Sequence, residues 1–143
     1  MFDESVRYVM EPRKFLTAAP ETFVREAAKL MAARNVGAIL IVEDDRLAGI
    51  FTERDMLVRV VARGLDALAT RLADVMTRAP WTIDPDATLG YALLLMHKKG
   101  FRHLPVVQEG KPIGIVSSRS AMDPDLEEFV SEANRRKRIA AKR

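Results

Sequence analysis

The chain has 143 residues, of which 48% are hydrophobic, 30% charged and none cysteine. That supplies apolar material for one compact domain or two very small ones, and it excludes a disulfide framework, a thiolate nucleophile and a thiolate metal site. Net charge is +3, yet six of the 23 cations and no acid lie in residues 135–143, which leaves residues 1–134 with 17 cations against 20 acids, or −3.

In chain order, a short helix ending in Val9-Met10 leads to an extended segment from Phe15 to Thr17. Pro20 is expected to open a helix, along which Phe23, Val24, Ala27, Leu30, Met31 and Arg34 recur at helical spacing, the apolar ones in one stripe. Two short apolar runs, Ala38 to Val42 and Leu47 to Phe51, flank Glu43-Asp44-Asp45-Arg46 and predict a hairpin. The helix that follows carries Met56-Leu57-Val58-Arg59-Val60-Val61, apolar over too wide an arc for one buried face.

From residue 72 the same order returns: Val75-Met76, an extended Trp81 to Ile83, Pro85, a helix, then His103 to Val107 and Pro112 to Val116 around Gln108-Glu109-Gly110-Lys111. Asp123-Pro124-Asp125-Leu126-Glu127-Glu128 then opens a final helix, with an Asp cap, a first-position proline and acids in the first turn. Sliding residues 20–57 by 65 positions pairs them with the second copy without a gap. Eight pairs are identical, namely Pro20/Pro85, Ala27/Ala92, Leu30/Leu95, Met31/Met96, Val42/Val107, Gly49/Gly114, Ile50/Ile115 and Arg54/Arg119. Ordinary composition would give about two or three. A repeat of this size cannot bury both its faces alone, so the surplus apolar arc predicts contact with the other repeat and with a second chain, hence a homodimer.

This duplicated order, with Gly49-Ile50-Phe51-Thr52-Glu53-Arg54-Asp55 at its heart, resembles a tandem pair of CBS domains over residues 6–122. The resemblance implies an α+β fold of two βαββα units packed with pseudo-twofold symmetry: repeat one over 6–64, a linker over 65–71, repeat two over 72–122, and a C-terminal helix and basic tail over 123–143. It also implies a stand-alone regulatory module that binds AMP, ADP, ATP or a NAD-type adenosine nucleotide between the repeats and reports to a partner protein.

The residues themselves suit such a ligand. Thr52 and Asp55 stand one turn apart where a strand passes into a helix. A carboxylate can accept from both ribose hydroxyls, while Thr52 and the helix N-terminal amides suit phosphate, and Gly49 permits close backbone approach. The competing reading is that Thr52 caps the helix, with Glu53 and Asp55 favouring its dipole. Arg102 and His103, at the entry to the second hairpin, make an anion site from a guanidinium fork and a protonatable imidazole; copy one has Gly37 and Ala38 there. Copy two keeps a hydroxyl at Ser117 but has Ser120 where Asp55 stands, and one hydroxyl cannot hold two ribose oxygens as a carboxylate does. The clefts are therefore unequal. The family's pseudo-twofold geometry implies that the cleft containing Thr52, Arg54 and Asp55 takes its other wall from Met76 to Trp81 for the base and from Arg102 and His103 for phosphate. Ala38, Ser117 and Ser120 hold the related positions.

No Ser/His/Asp set, His-rich metal site or phosphate-binding P-loop can be assembled, so the chain is read as non-enzymatic, with no required cofactor. The Arg135–Arg143 tail has enough cations for salt-sensitive nucleic-acid binding but no aromatic residues to stack bases, and that reading stands second. No apolar run reaches the roughly 20 residues of a spanning helix, and the start MFDESVRY lacks a signal-peptide core; a cytoplasmic protein without membrane attachment is expected.

Overall fold

The computed structural model describes residues 2–10, 15–118, 132–133 and 135–139. Its elements are α1 (Val6–Val9), β1 (Leu16–Ala18), α2 (Val24–Arg34), β2 (Ala38–Glu43), β3 (Arg46–Thr52) and a short α3 (Glu53–Asp55), which runs into a π-helical stretch, Met56–Val61. There follow α4 (Leu72–Val75), β4 (Thr77–Arg78), α5 (Leu89–Lys99), β5 (His103–Gln108) and β6 (Lys111–Ser117). The class is α+β, as expected.

The repeat in sequence is a repeat in backbone hydrogen bonding. Strand β1 pairs parallel with β2, placing Ala18 opposite Ile41, and the residues 65 further on, Ile83 and Val106, form a parallel bridge. In the hairpins, Ala38 faces Thr52 and His103 faces Ser117, and each carries a register shift at the same place, Ile41/Val42 and Val106/Val107. Both hairpins close through two residues at positive φ, Asp44 and Asp45 (52° and 63°) or Glu109 and Gly110 (54° and 81°). That is the type I′ geometry, whose twist matches that of the strands it joins.

The two cores exchange their first helices. Leu72 and Val75 of α4, with Met76 at its end, are buried among Val24, Ile39, Phe51 and Val60 of copy one. Reciprocally, Val6 of α1 is buried among Leu89, Leu104 and Val116 of copy two. Strand β4 then completes the first sheet, antiparallel to β3, with Gly49 opposite Arg78 and Ile50 opposite Thr77. A third cluster, Ala38, Leu40, Ile50 and Ile115, joins the halves, flanked by Phe15 and Leu47.

Two local expectations are corrected. Pro20 and Pro85 do not open helices, which begin at Val24 and Leu89. The prolines sit in preceding turns whose carbonyls receive the exchanged helices: Ala73 N–H donates to Pro20 O (2.9 Å) and Arg7 N–H to Pro85 O (2.9 Å). A helix starting at proline would direct those carbonyls along its own axis. The apolar stripe of α2 is also narrower than its spacing implies, since Val24, Ala27 and Met31 are buried while Phe23 and Leu30 are exposed.

The wide apolar arc after α3 is real. Val60 is buried, but Leu57, Val58 and Val61 are 61%, 50% and 64% exposed. Residues 135–139 are helical, and Arg136 pairs with Glu132 at 2.9 Å; the expected helix start at Asp123–Glu128 lies outside the described residues. Among those described, no helix is long and apolar enough to cross a membrane.

Candidate nucleotide cleft

Where β3 passes into α3, Thr52 and Asp55 lock each other. The Asp55 N–H donates to Thr52 Oγ1 (3.2 Å) and the Thr52 N–H to Asp55 Oδ2 (3.0 Å), a reciprocal capping box. The capping reading of these residues is therefore correct, and it does not exhaust them. Thr52 Oγ1 accepts one bond and keeps its own hydrogen to donate, and a carboxylate offers about four acceptor positions. The helix-start amides differ from expectation. Those of Glu53 and Asp55 are already bonded, to Gly37 O at 2.9 Å and to Thr52 Oγ1, so neither is free to hold an anion here.

These side chains border a cleft of ≈ 850 Å³ between the halves. One wall is Ile50, Thr52, Glu53, Arg54, Asp55 and Leu57; the other is Thr77, Ala79, Pro80 and Trp81, with Gly100, Phe101, Arg102 and His103 closing the end. The sequence-predicted Thr52, Arg54, Asp55, Trp81, Arg102 and His103 are thus brought together. Among the described residues Arg54 and Arg102 have no ion-pair partner, and a guanidinium fork suits an anion. Trp81 is 55% exposed and carries Lys99 Nζ 4.6 Å from its ring centroid, a cation–π contact that steadies the indole.

His103 is held neutral more strongly than a free imidazole, because burial lowers its pKa; Glu53 opposes that shift and Arg102 adds to it. Both Glu53 and His103 crowd Gly37. A Cβ there would lie 3.0 Å from Glu53 Oε1 and 3.1 Å from His103 Nε2. Copy one therefore carries a glycine where copy two has Arg102, because a side chain at 37 would displace the histidine.

The other expected positions lie elsewhere. Met76 is buried in the first core, and Ala38 is buried in the cluster between the sheets. Ser117 is half-buried opposite His103, outside this cleft, and Ser120 lies outside the described residues. Within the expected Met76 to Trp81 wall, Thr77, Ala79, Pro80 and Trp81 line the cleft, whereas sequence reading missed Ile50, Glu53, Leu57, Gly100 and Phe101 as lining residues. The signal for Glu53 was present, since it adjoins Thr52. Among the described residues no group of three or more His, Asp or Glu could hold a metal ion.

A duplicated α+β unit with exchanged first helices and a polar cleft between its halves defines a pseudo-symmetric paired-domain module. The family model for the CBS domain matches residues 6–62 and 72–124, and the chain belongs to the CBS-domain family. It is a tandem CBS pair. It is 41% identical over 122 residues to the meiotically up-regulated gene 70 protein of Schizosaccharomyces pombe, covering 78% of this chain and 17% of that one. A solved protein with CBS domains from Burkholderia ambifaria is 32% identical with a TM-score of 0.80, covering 87% of this chain and 95% of that one. A solved structure of CBSX2 in complex with AMP is 25% identical with a TM-score of 0.74, covering 87% and 98%. The chain spans well under two thirds of the length of the fission-yeast relative.

Proposed function

We propose that this protein is a sensor module that binds an adenosine nucleotide (AMP, ADP, ATP or a NAD-type dinucleotide) in the cleft between Asp55 and Trp81 and signals its occupancy to a partner protein. The carrying observation is the grouping of an anchored carboxylate, two guanidinium groups, an imidazole and an exposed indole around one ≈ 850 Å³ cleft, a size in the ordinary range for small-ligand sites. In this reading Asp55 takes the ribose, Trp81 the base, and Arg54, Arg102 and His103 the phosphate. The AMP-bound relative supports the ligand class. The working form is a homodimer in the cytoplasm, paired through the exposed Val58 and Val61 face, and the repeats span 6–64 and 72–122 with 65–71 as linker. The nucleic-acid reading of the basic tail gains no support from the family.

The test is calorimetric titration of AMP into the wild type, Asp55→Ala and Ser120→Ala. Loss of charge-assisted bonds to two ribose hydroxyls costs on the order of 3 kcal/mol, or about a hundredfold in affinity. Asp55→Ala should show that loss and Ser120→Ala little. Equal losses would reassign the clefts, and no binding by the wild type would refute the reading.

A further inference from the structure

Arg59 joins the two walls of the cleft without lining it. Its Nη1 donates to Val75 O (3.2 Å) and Met76 O (3.1 Å), the carbonyls at the end of α4, and its Nε lies 3.6 Å from Asp55 Oδ1. The residues just after Met76 become the opposite wall, from Thr77 to Trp81. One guanidinium therefore ties the carboxylate on copy one to the start of the segment that carries the indole of copy two. Arg59 also lies within the π-helical stretch, a local geometry that recurs at functional sites.

Counting acceptors gives this strut a role. A carboxylate has about four acceptor positions. Thr52 N–H occupies one through Oδ2, and Arg59 Nε, 3.6 Å from Oδ1, is an ion-pair partner beyond hydrogen-bond reach that orients the carboxylate by charge. At least two acceptor positions remain, enough for a ribose diol. With the Asp55 side chain only 16% exposed, water cannot readily substitute for the missing cation. We propose that Arg59 is a positioning residue for ribose recognition: it orients the Asp55 carboxylate so that two of its free acceptor positions meet the two ribose hydroxyls. The inference rests on the adenosine-nucleotide reading of the cleft and adds the residue that makes it selective for an intact ribose.

The experiment uses full-length protein and two probes, AMP and 2′,3′-dideoxyadenosine monophosphate, titrated into the wild type, Arg59→Met, Arg59→Lys and Asp55→Ala/Arg59→Met. Methionine keeps an apolar stem, and the emission of Trp81, the sole tryptophan, reports whether the cleft wall is intact. Arg59→Met should weaken AMP about tenfold while changing the dideoxy analogue less than twofold. Arg59→Lys, which restores a cation but not both donor directions, should recover part of the loss. The double variant should bind AMP no more weakly than Asp55→Ala alone. Equal losses for the two probes, or additive losses in the double variant, would overturn the proposal and make Arg59 a general brace. Wild-type protein that fails to bind AMP, or binds both probes equally, would remove the ribose reading itself, and the role of Arg59 with it. An Arg59→Met variant with altered tryptophan emission is replaced by Arg59→Lys, whose AMP loss must again exceed its loss for the analogue.

Discussion

Gly49 carries the family-like motif, and the structure assigns it a steric reason that can be tested by adding one methyl group. Strand β4 pairs antiparallel with β3 at this residue, with Gly49 opposite Arg78. A Cβ at 49 would lie 2.6 Å from Met76 Sδ and 2.8 Å from Thr77 O, about 1 Å inside the roughly 3.5–4.0 Å of an ordinary contact. Met76 is 5% exposed in the first core and has little room to retreat, and the second obstacle is backbone. Overpacking of this kind costs about 1–3 kcal/mol, and involvement of β4 itself points to the upper end. For a chain of this length Gly49→Ala should therefore lower Tm by about 10 °C, at roughly 3–4 °C per kcal/mol. Gly37→Ala is the contrast. Its Cβ meets only the ends of the Glu53 and His103 side chains, at 3.0 and 3.1 Å, which can give way. It should melt within about 3 °C of wild type, by the ordinary tolerance of adaptable sites, while altering binding at the cleft. Scanning calorimetry measures both. A Gly49→Ala variant as stable as Gly37→Ala would refute the claim that β4 is packed against the glycine.

Two further outcomes are expected. His103 is neutralised in the free protein by burial, with Arg102 adding and Glu53 opposing, so a bound phosphate should raise its pKa and draw in a proton. AMP affinity should then rise as pH falls from about 8 towards about 6, until the phosphate's own ionisation near 6 intervenes; His103→Gln should flatten this profile, and an unchanged profile would make the histidine structural. If Val58 and Val61 form a chain–chain contact, the wild type should sediment at twice the 16.0 kDa chain mass and Val58→Asp/Val61→Asp at the single mass, whereas a wild type at 16.0 kDa at micromolar concentration, with or without AMP, would exclude it.

Much of the fold was legible because it rests on short-range patterns. Apolar runs either side of Glu43–Arg46 and Gln108–Lys111 dictate two hairpins, and the 65-residue offset carries even the irregularity at Ile41/Val42 over to Val106/Val107. Thr52, Asp55, Arg102, His103 and Trp81 could be grouped only through the resemblance to a tandem CBS pair, whose pseudo-twofold geometry implies a cleft walled by both copies. The helix exchange was not legible. It is made by backbone bonds such as Val6 N–H to Ala87 O and Leu72 N–H to Thr22 O, which leave no mark in side-chain identity. Met76 misled for a related reason: a buried methionine and a cleft-lining one have the same chemistry, and only packing separates them. The role of Arg59 depends on carbonyls 16 and 17 residues away, which no local motif encodes.

The exchange also explains where the described cleft lies. Core one cannot close without Leu72 and Val75, nor core two without Val6, and burying each such side chain contributes about 1.5–3 kcal/mol. Neither repeat is then a complete folding unit, and the chain must cross from core one back to core two after α4. The cleft sits at that crossing. Its second wall, Thr77 to Trp81, begins two residues after Val75 and is positioned by core one, whereas Arg102 and His103 are positioned by β5 of core two. A ligand held by Asp55, Trp81 and Arg102 would thus bridge both cores at the point where the backbone passes between them. Any change in their relative placement would alter its contacts, and by reciprocity its binding would alter their placement. Gly37 and Ala38 cannot reproduce this arrangement on the copy-one side, because one must stay small beneath His103 and the other is buried between the sheets.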